Sequence, residues 1–190
     1  MMIDHKEIFT KSNLLSLFRL FLSIPLWFLL DNLHLESTRY ITAFVCLVAI
    51  GTDFLDGYLA RRLNEVTEVG KIIDPLADKV AVGIVALKLY LVGEMPSYYF
   101  FIIIGRDTLI FLGGILLSYK IRKVIPSNTL GKITVTILGV VILMIILKVN
   151  RDSILFLSFY TISILMIFAS LIAYIIRTVE FLKQKNYESI

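Results

Sequence analysis

The chain is 190 residues long, 58% hydrophobic and only 18% charged, with a net charge of +4 and a mean hydropathy of +0.86. Soluble domains lie nearer half apolar and a quarter charged. A disordered chain, a disulfide scaffold and an ordinary soluble enzyme are therefore excluded. A spanning helix uses about 20 apolar residues, which leaves room for about six such helices and no separate soluble domain. Residues 1–190 are expected to form a single all-α integral membrane domain. The lone cysteine, Cys46, lies in an apolar run and provides neither an internal disulfide nor a thiolate metal site.

Six apolar segments follow one another: Asn13–Leu30, Tyr40–Leu59, Lys71–Val92, Ser97–Tyr119, Lys132–Val149 and Ser153–Ile176. Continuous apolar runs of this length favour helix over strand. The first carries Pro25, which is expected to kink it. It does not read as a removable signal peptide, because its flank holds Asp4 and Glu7 and no small-residue cleavage site follows. With the N-terminus inside, the inner regions hold Lys6, Lys11, Arg61, Arg62, Lys71, Lys120, Arg122, Lys123, Lys132, Arg177, Lys183 and Lys185. The outer loops hold only Arg39, Lys148 and Arg151. This bias puts both termini in the cytosol. It also accounts for the basic charge without nucleic acid, since the basic side faces an anionic leaflet.

The chemistry concentrates between Asp53 and Lys79. Asp53 and Asp56 are three apart, and Asp74 and Asp78 four apart, so each pair projects from one helix face. A short polar stretch, Arg61–Gly70, joins the two segments and makes them antiparallel neighbours. Four carboxylates are then expected to converge just inside the cytosolic boundary. Four such charges repel one another and are costly to desolvate unless something positive holds them. Two divalent cations would balance them, and hard oxygen ligands suit Mg²⁺ or Mn²⁺. Such a pair is a device for phosphoryl chemistry. Gly57 and Ala60 share the face of Asp53 and leave room for a ligand, and Arg61 can pair with a phosphate. Two other readings use the same residues. The aspartates could cap helices or pair with Arg61, Arg62 and Lys79, or they could serve a small cation transporter.

The pattern Asp53-x-x-Asp56-Gly57-x-x-Ala60-Arg61, then Gly70, Asp74 and Asp78 at fixed gaps, resembles the signature of the CDP-alcohol phosphatidyltransferase family at every position. The resemblance implies a six-helix membrane enzyme of phospholipid biosynthesis that displaces CMP from a CDP-linked lipid with an alcohol. It implies that Asp53, Asp56, Asp74 and Asp78 surround two metal ions, with Asp78 as the base. It assigns Gly57, Ala60 and Arg61 to the CDP portion. A transporter reading leaves those three positions unexplained.

The stretch Asp74-Pro75-Leu76-Ala77-Asp78-Lys79 and the opening Asn13-Leu14-Leu15-Ser16-Leu17-Phe18-Arg19 resemble the phosphatidylglycerophosphate synthase and eukaryotic-type cardiolipin synthase branch. Gly131-Lys132-Ile133-Thr134 is similar to the glycerophosphate enzymes, whereas Arg106-Asp107 is nearer the cardiolipin synthase type. The donor so implied is CDP-diacylglycerol. The acceptor is glycerol-3-phosphate, leading to phosphatidylglycerol, with phosphatidylglycerol itself or another alcohol as the alternative. The phospholipase D-type mechanism is disfavoured because the chain has no His-x-Lys motif.

Arg19, Arg106 and Lys132 are the cations expected to meet the acceptor's phosphate. Each has a plainer reading, as a snorkelling side chain, a structural pair or a solvated positive-inside charge. Lys79 is expected to be a counter-charge and Lys88 to snorkel outward. Gly113-Gly114 is expected to let helices approach closely. Trp27 and Tyr98–Phe101 read as interfacial or lipid-facing aromatics. The expected setting is the bacterial cytoplasmic membrane with the active site facing the cytosol. A second copy of the chain is admitted as a partner.

Overall fold

A computed structural model describes the backbone of residues 11–63, 70–121 and 129–188, and side chains at 17–52, 79–115 and 129–182. The described residues form six α-helices, arranged in two compact units, Met1–Met95 and Pro96–Ile190. The expected all-α class is thus observed. Three helices are long and apolar enough to cross a membrane, over Ser97–Ile115, Thr129–Ile146 and Ile154–Leu182.

In the first unit α1 spans Lys11–Leu29, α2 Glu36–Leu63 and α3 Gly70–Leu91. Helix α1 runs through Pro25 and then tightens into a 3-10 turn at Leu30–Asn32. Its inward stripe is Arg19, Ser23, Leu26, Leu30 and Leu33, alternating steps of four and three residues. That is the spacing of one helical seam, and along it α1 contacts both α2 and α3. The turn into α2 is closed by Arg39, whose Nε donates to the Leu33 carbonyl at 2.8 Å.

In the second unit α4 spans Ser97–Ile121, α5 Thr129–Ile146 and α6 Ile154–Glu188. Helix α6 contacts both α4 and α5. Ser153 caps its start, accepting from the Phe156 amide at 3.2 Å. Tyr99 Oη donates to Ser163 Oγ at 2.7 Å, because the Ser163 proton already goes to the Tyr160 carbonyl. Tyr160 Oη donates to Tyr98 Oη at 2.7 Å, and its ring stacks on Phe156. These contacts align α4 and α6 in parallel.

Polar side chains share the buried positions with apolar ones, while many large apolar side chains face outward. Buried positions include Arg19, Ser23, Thr42, Arg106, Thr134, Ser163 and Ser170. Outward positions carry Phe21, Phe28, Phe44, Leu109, Leu165, Phe168 and Ile172. Small and polar residues at the seam permit close backbone approach and interhelical hydrogen bonds, the means by which helices associate when their surroundings are as apolar as they are.

Three sequence expectations are corrected. Helix α6 continues twelve residues past Ile176, to Glu188. The loss of apolar character there ends the hydrophobic run, but Glu, Leu, Lys and Gln remain good helix formers. Lys88 does not snorkel outward. It is buried, paired with Asp31 Oδ1 at 2.6 Å and seated 4.4 Å from the Trp27 ring centre. Trp27 is half-buried, with the Lys88 ammonium over its ring. Of the four aromatics at Tyr98–Phe101, Tyr99 and Phe100 are buried while Tyr98 and Phe101 face outward, because a helix turns 100° per residue and cannot present four successive side chains to one side.

Helices α3 and α5 end alike. After α3, the Glu94 amide bonds to the Leu89 carbonyl and the Gly93 amide to the Tyr90 carbonyl, with Gly93 at φ 78°. After α5, Val149 bonds to Met144 and Lys148 to Ile145, with Lys148 at φ 51°. Both are Schellman caps. A Cβ on Gly93 would meet nothing within 4 Å, so Gly93→Ala is expected to cost only the backbone strain, about 1–2 kcal/mol. A thermal melt of the solubilised variant checks this; an unchanged midpoint counts against it.

Candidate functional site

The acidic motif lies on two helices of the first unit. Asp53, Asp56, Gly57, Ala60 and Arg61 fall in the last three turns of α2, and Asp74 and Asp78 in the first three turns of α3. Helix α1 contacts both of these helices. The side chains of all seven residues lie outside the described ones. So does the expected convergence of the four carboxylates. The backbone is helical at each position, which preserves the i,i+3 and i,i+4 spacings on which the single-face reading rests.

Arg19 is placed on the inward stripe of α1 and is 5% exposed. Its guanidinium does not snorkel to a surface. A buried charge in an apolar surrounding is costly without compensation, and Arg19 is held by an interaction within the fold. The sequence reading of Arg19 as a site candidate is therefore compatible with its burial, and the snorkelling alternative is removed.

Arg106 occupies the middle of α4 and is 6% exposed. Its Nη1 donates to Asp107 Oδ1 at 2.5 Å, and its Nε donates to Ser170 Oγ on α6 at 3.1 Å. Its Nη2 lies 3.4 Å from where a Cβ on Gly131 would stand. The guanidinium thus reaches the first turn of α5, next to exposed Lys132. The adjacent Asp107 carboxylate partly offsets its charge, and Asp107 remains 19% exposed. Of the three cations read from the sequence, Arg106 reaches the helix turn that also carries Lys132, and Arg19 belongs to the other unit. Thr134 fixes that start against α6, sharing its proton between the Leu130 carbonyl at 2.8 Å and the Met166 carbonyl at 3.2 Å.

Ser170 is absent from the sequence reading, and Thr134 enters it only as the last residue of the Gly131–Thr134 stretch, without its contact to α6. A lone serine in an apolar run carries no local signal. Their role comes from the register between α6 and its neighbours, which only the fold sets. Gly113 behaves as expected of a close-approach glycine, since a Cβ there would lie 3.1 Å from the Tyr174 ring.

The sequence pattern of the CDP-alcohol phosphatidyltransferase family matches residues 9–178. A protein of Aquifex aeolicus named CDP-diacylglycerol--glycerol-3-phosphate 3-phosphatidyltransferase is 40% identical over 126 residues, covering 64% of this chain and 67% of its own. Proteins of the same name from Rickettsia bellii and Mycoplasma genitalium are each 33% identical. The first match covers 69% of this chain and 71% of the relative. The second covers 64% of this chain and 58% of the relative.

Proposed function

This chain belongs to the CDP-alcohol phosphatidyltransferase family, and on that premise we propose that it transfers a phosphatidyl group from CDP-diacylglycerol to glycerol-3-phosphate with release of CMP. The observation that carries the reading is the complete acidic signature, Asp53 to Asp78, on α2 and α3 inside the matched region. Relatives bearing the glycerol-3-phosphate name support the choice of acceptor. Residues 1–190 act as one functional domain, with all six helices in the bilayer and both termini cytosolic. The bacterial cytoplasmic membrane is the setting.

Asp53, Asp56, Asp74 and Asp78 are the residues that would hold two divalent cations. An all-carboxylate donor set fits Mg²⁺ or Mn²⁺. When bound, these ions would neutralise the diphosphate of the donor and the charge that develops on its leaving oxygen. Gly57 and Ala60 leave space on the same helix for the cytidine diphosphate, and Arg61 pairs with its phosphate. Arg106 and Lys132 bind the acceptor's phosphate, and Arg19 lends further positive charge. Asp78 takes the proton of the attacking hydroxyl. The acceptor oxygen then bonds to the phosphorus carrying diacylglycerol, as the bond to the CMP oxygen breaks and CMP leaves with the electron pair.

A panel of acceptors offered to the purified protein with CDP-diacylglycerol tests this reading. CMP release is expected with glycerol-3-phosphate. Release with phosphatidylglycerol alone would instead identify a cardiolipin synthase, and failure to bind any cytidine nucleotide would favour a cation transporter.

A further inference from the structure

The Arg106 guanidinium is oriented by its neighbours before any ligand arrives. Ser170 is 2% exposed, and its hydroxyl proton is committed to the Ile167 carbonyl at 2.9 Å. Its oxygen is thereby left to accept from Arg106 Nε at 3.1 Å. Asp107 accepts from Nη1. A guanidinium is planar, with its five donors in a fixed fork. Holding Nε and Nη1 therefore sets the direction of Nη2, which lies against Gly131 at the first turn of α5. One turn of α6 before Ser170, the Met166 carbonyl holds Thr134 and with it the start of α5. Both the fork and the helix start it faces are thus referred to the same stretch of α6.

We propose that Ser170 is a positioning residue for acceptor recognition: through Nε it locks the Arg106 fork so that Nη2 is presented at the first turn of α5, the turn that carries Lys132, to meet the anionic phosphate of the acceptor. This inference rests on the assignment of Arg106 to the acceptor given above. Ser170 touches no substrate. Its effect passes through Arg106, so it bears on the acceptor and not on the lipid donor.

Steady-state kinetics of Ser170→Ala, Arg106→Met and the double variant provide the test. Ser170→Ala removes one small buried hydroxyl from a helix and keeps a good helix former. Arg106→Met keeps the side chain's length without leaving a buried charge. Ser170→Ala is expected to raise the KM for glycerol-3-phosphate about tenfold, the scale of one hydrogen bond to a charged group. The KM for CDP-diacylglycerol and the melting temperature are expected to stay near wild type. On the Arg106→Met background, Ser170→Ala is expected to add nothing, because the two act as one unit. A tenfold effect that persists without Arg106 overturns the proposal. So does an equal rise for both substrates accompanied by a lowered melting temperature, the signature of a merely structural serine. If Arg106→Met raises the acceptor KM and Ser170→Ala does not, the positioning role fails while the acceptor assignment stands. If neither raises it, both fall together.

Discussion

Stripping divalent cations with a chelator is expected to abolish CMP release, and Mg²⁺ or Mn²⁺ to restore it. Four carboxylates lie within 26 residues of sequence, on two helices that both contact α1. Set together in a poorly hydrated region, four negative charges are unfavourable unless balanced. The donor adds the charge of a diphosphate. Reaction without cations would require that diphosphate to approach the carboxylates unscreened. The same ions are expected to raise the melting temperature of the solubilised protein, since a ligand that binds only the folded state stabilises it. Full turnover in excess chelator would remove the two-cation reading and with it the role given to Asp53, Asp56 and Asp74.

Asp53→Asn and Asp74→Asn are each expected to lower kcat by about a thousandfold or more, roughly 4 kcal/mol of transition-state stabilisation. The exchange keeps the shape of the side chain and removes one charge, so the helices α2 and α3 should retain their content and melting behaviour. Losing a single neutral donor to a developing oxyanion already costs about a hundred- to a thousandfold. A lost anionic cation ligand belongs at the upper end of that range. Asp152→Asn serves as the comparison, because Asp152 is exposed in the turn before α6. It is expected to leave turnover unchanged. A fall of less than tenfold at both Asp53 and Asp74 would count against their role as ligands.

Much of this fold is readable in the sequence because a helix announces itself within its own window. All six apolar segments correspond to helices, and Ser153, read as the first residue of the last segment, is that helix's cap. The acidic signature is readable for the same reason, since its spacings are local. What escapes is set by register between helices distant in sequence. Tyr99 meets Ser163, and Arg106 meets Ser170, each across 64 residues. The two pairs repeat because α4 and α6 run parallel, and no window of the sequence contains both partners. The outward snorkelling expected of Lys88 fails on similar grounds. Its pairing with Asp31 and its seat on Trp27 depend on how α3 meets the turn after α1.

The mixture of buried serines and outward hydrocarbon has a consequence for how such a chain tolerates change. Outward positions such as Phe21, Phe44 and Leu165 are exposed and pack against few neighbours, so they impose little on the shape of a bulky hydrocarbon. Phe, Leu and Ile can replace one another there with little effect. At the seam, Ser163 and Ser170 are buried and have both hydrogen-bonding roles engaged, so neither position has room for a side chain larger than serine. A saturation-mutagenesis map of this chain is expected to be permissive at outward Phe21, Phe44 and Leu165 and closed to larger residues at Ser163 and Ser170.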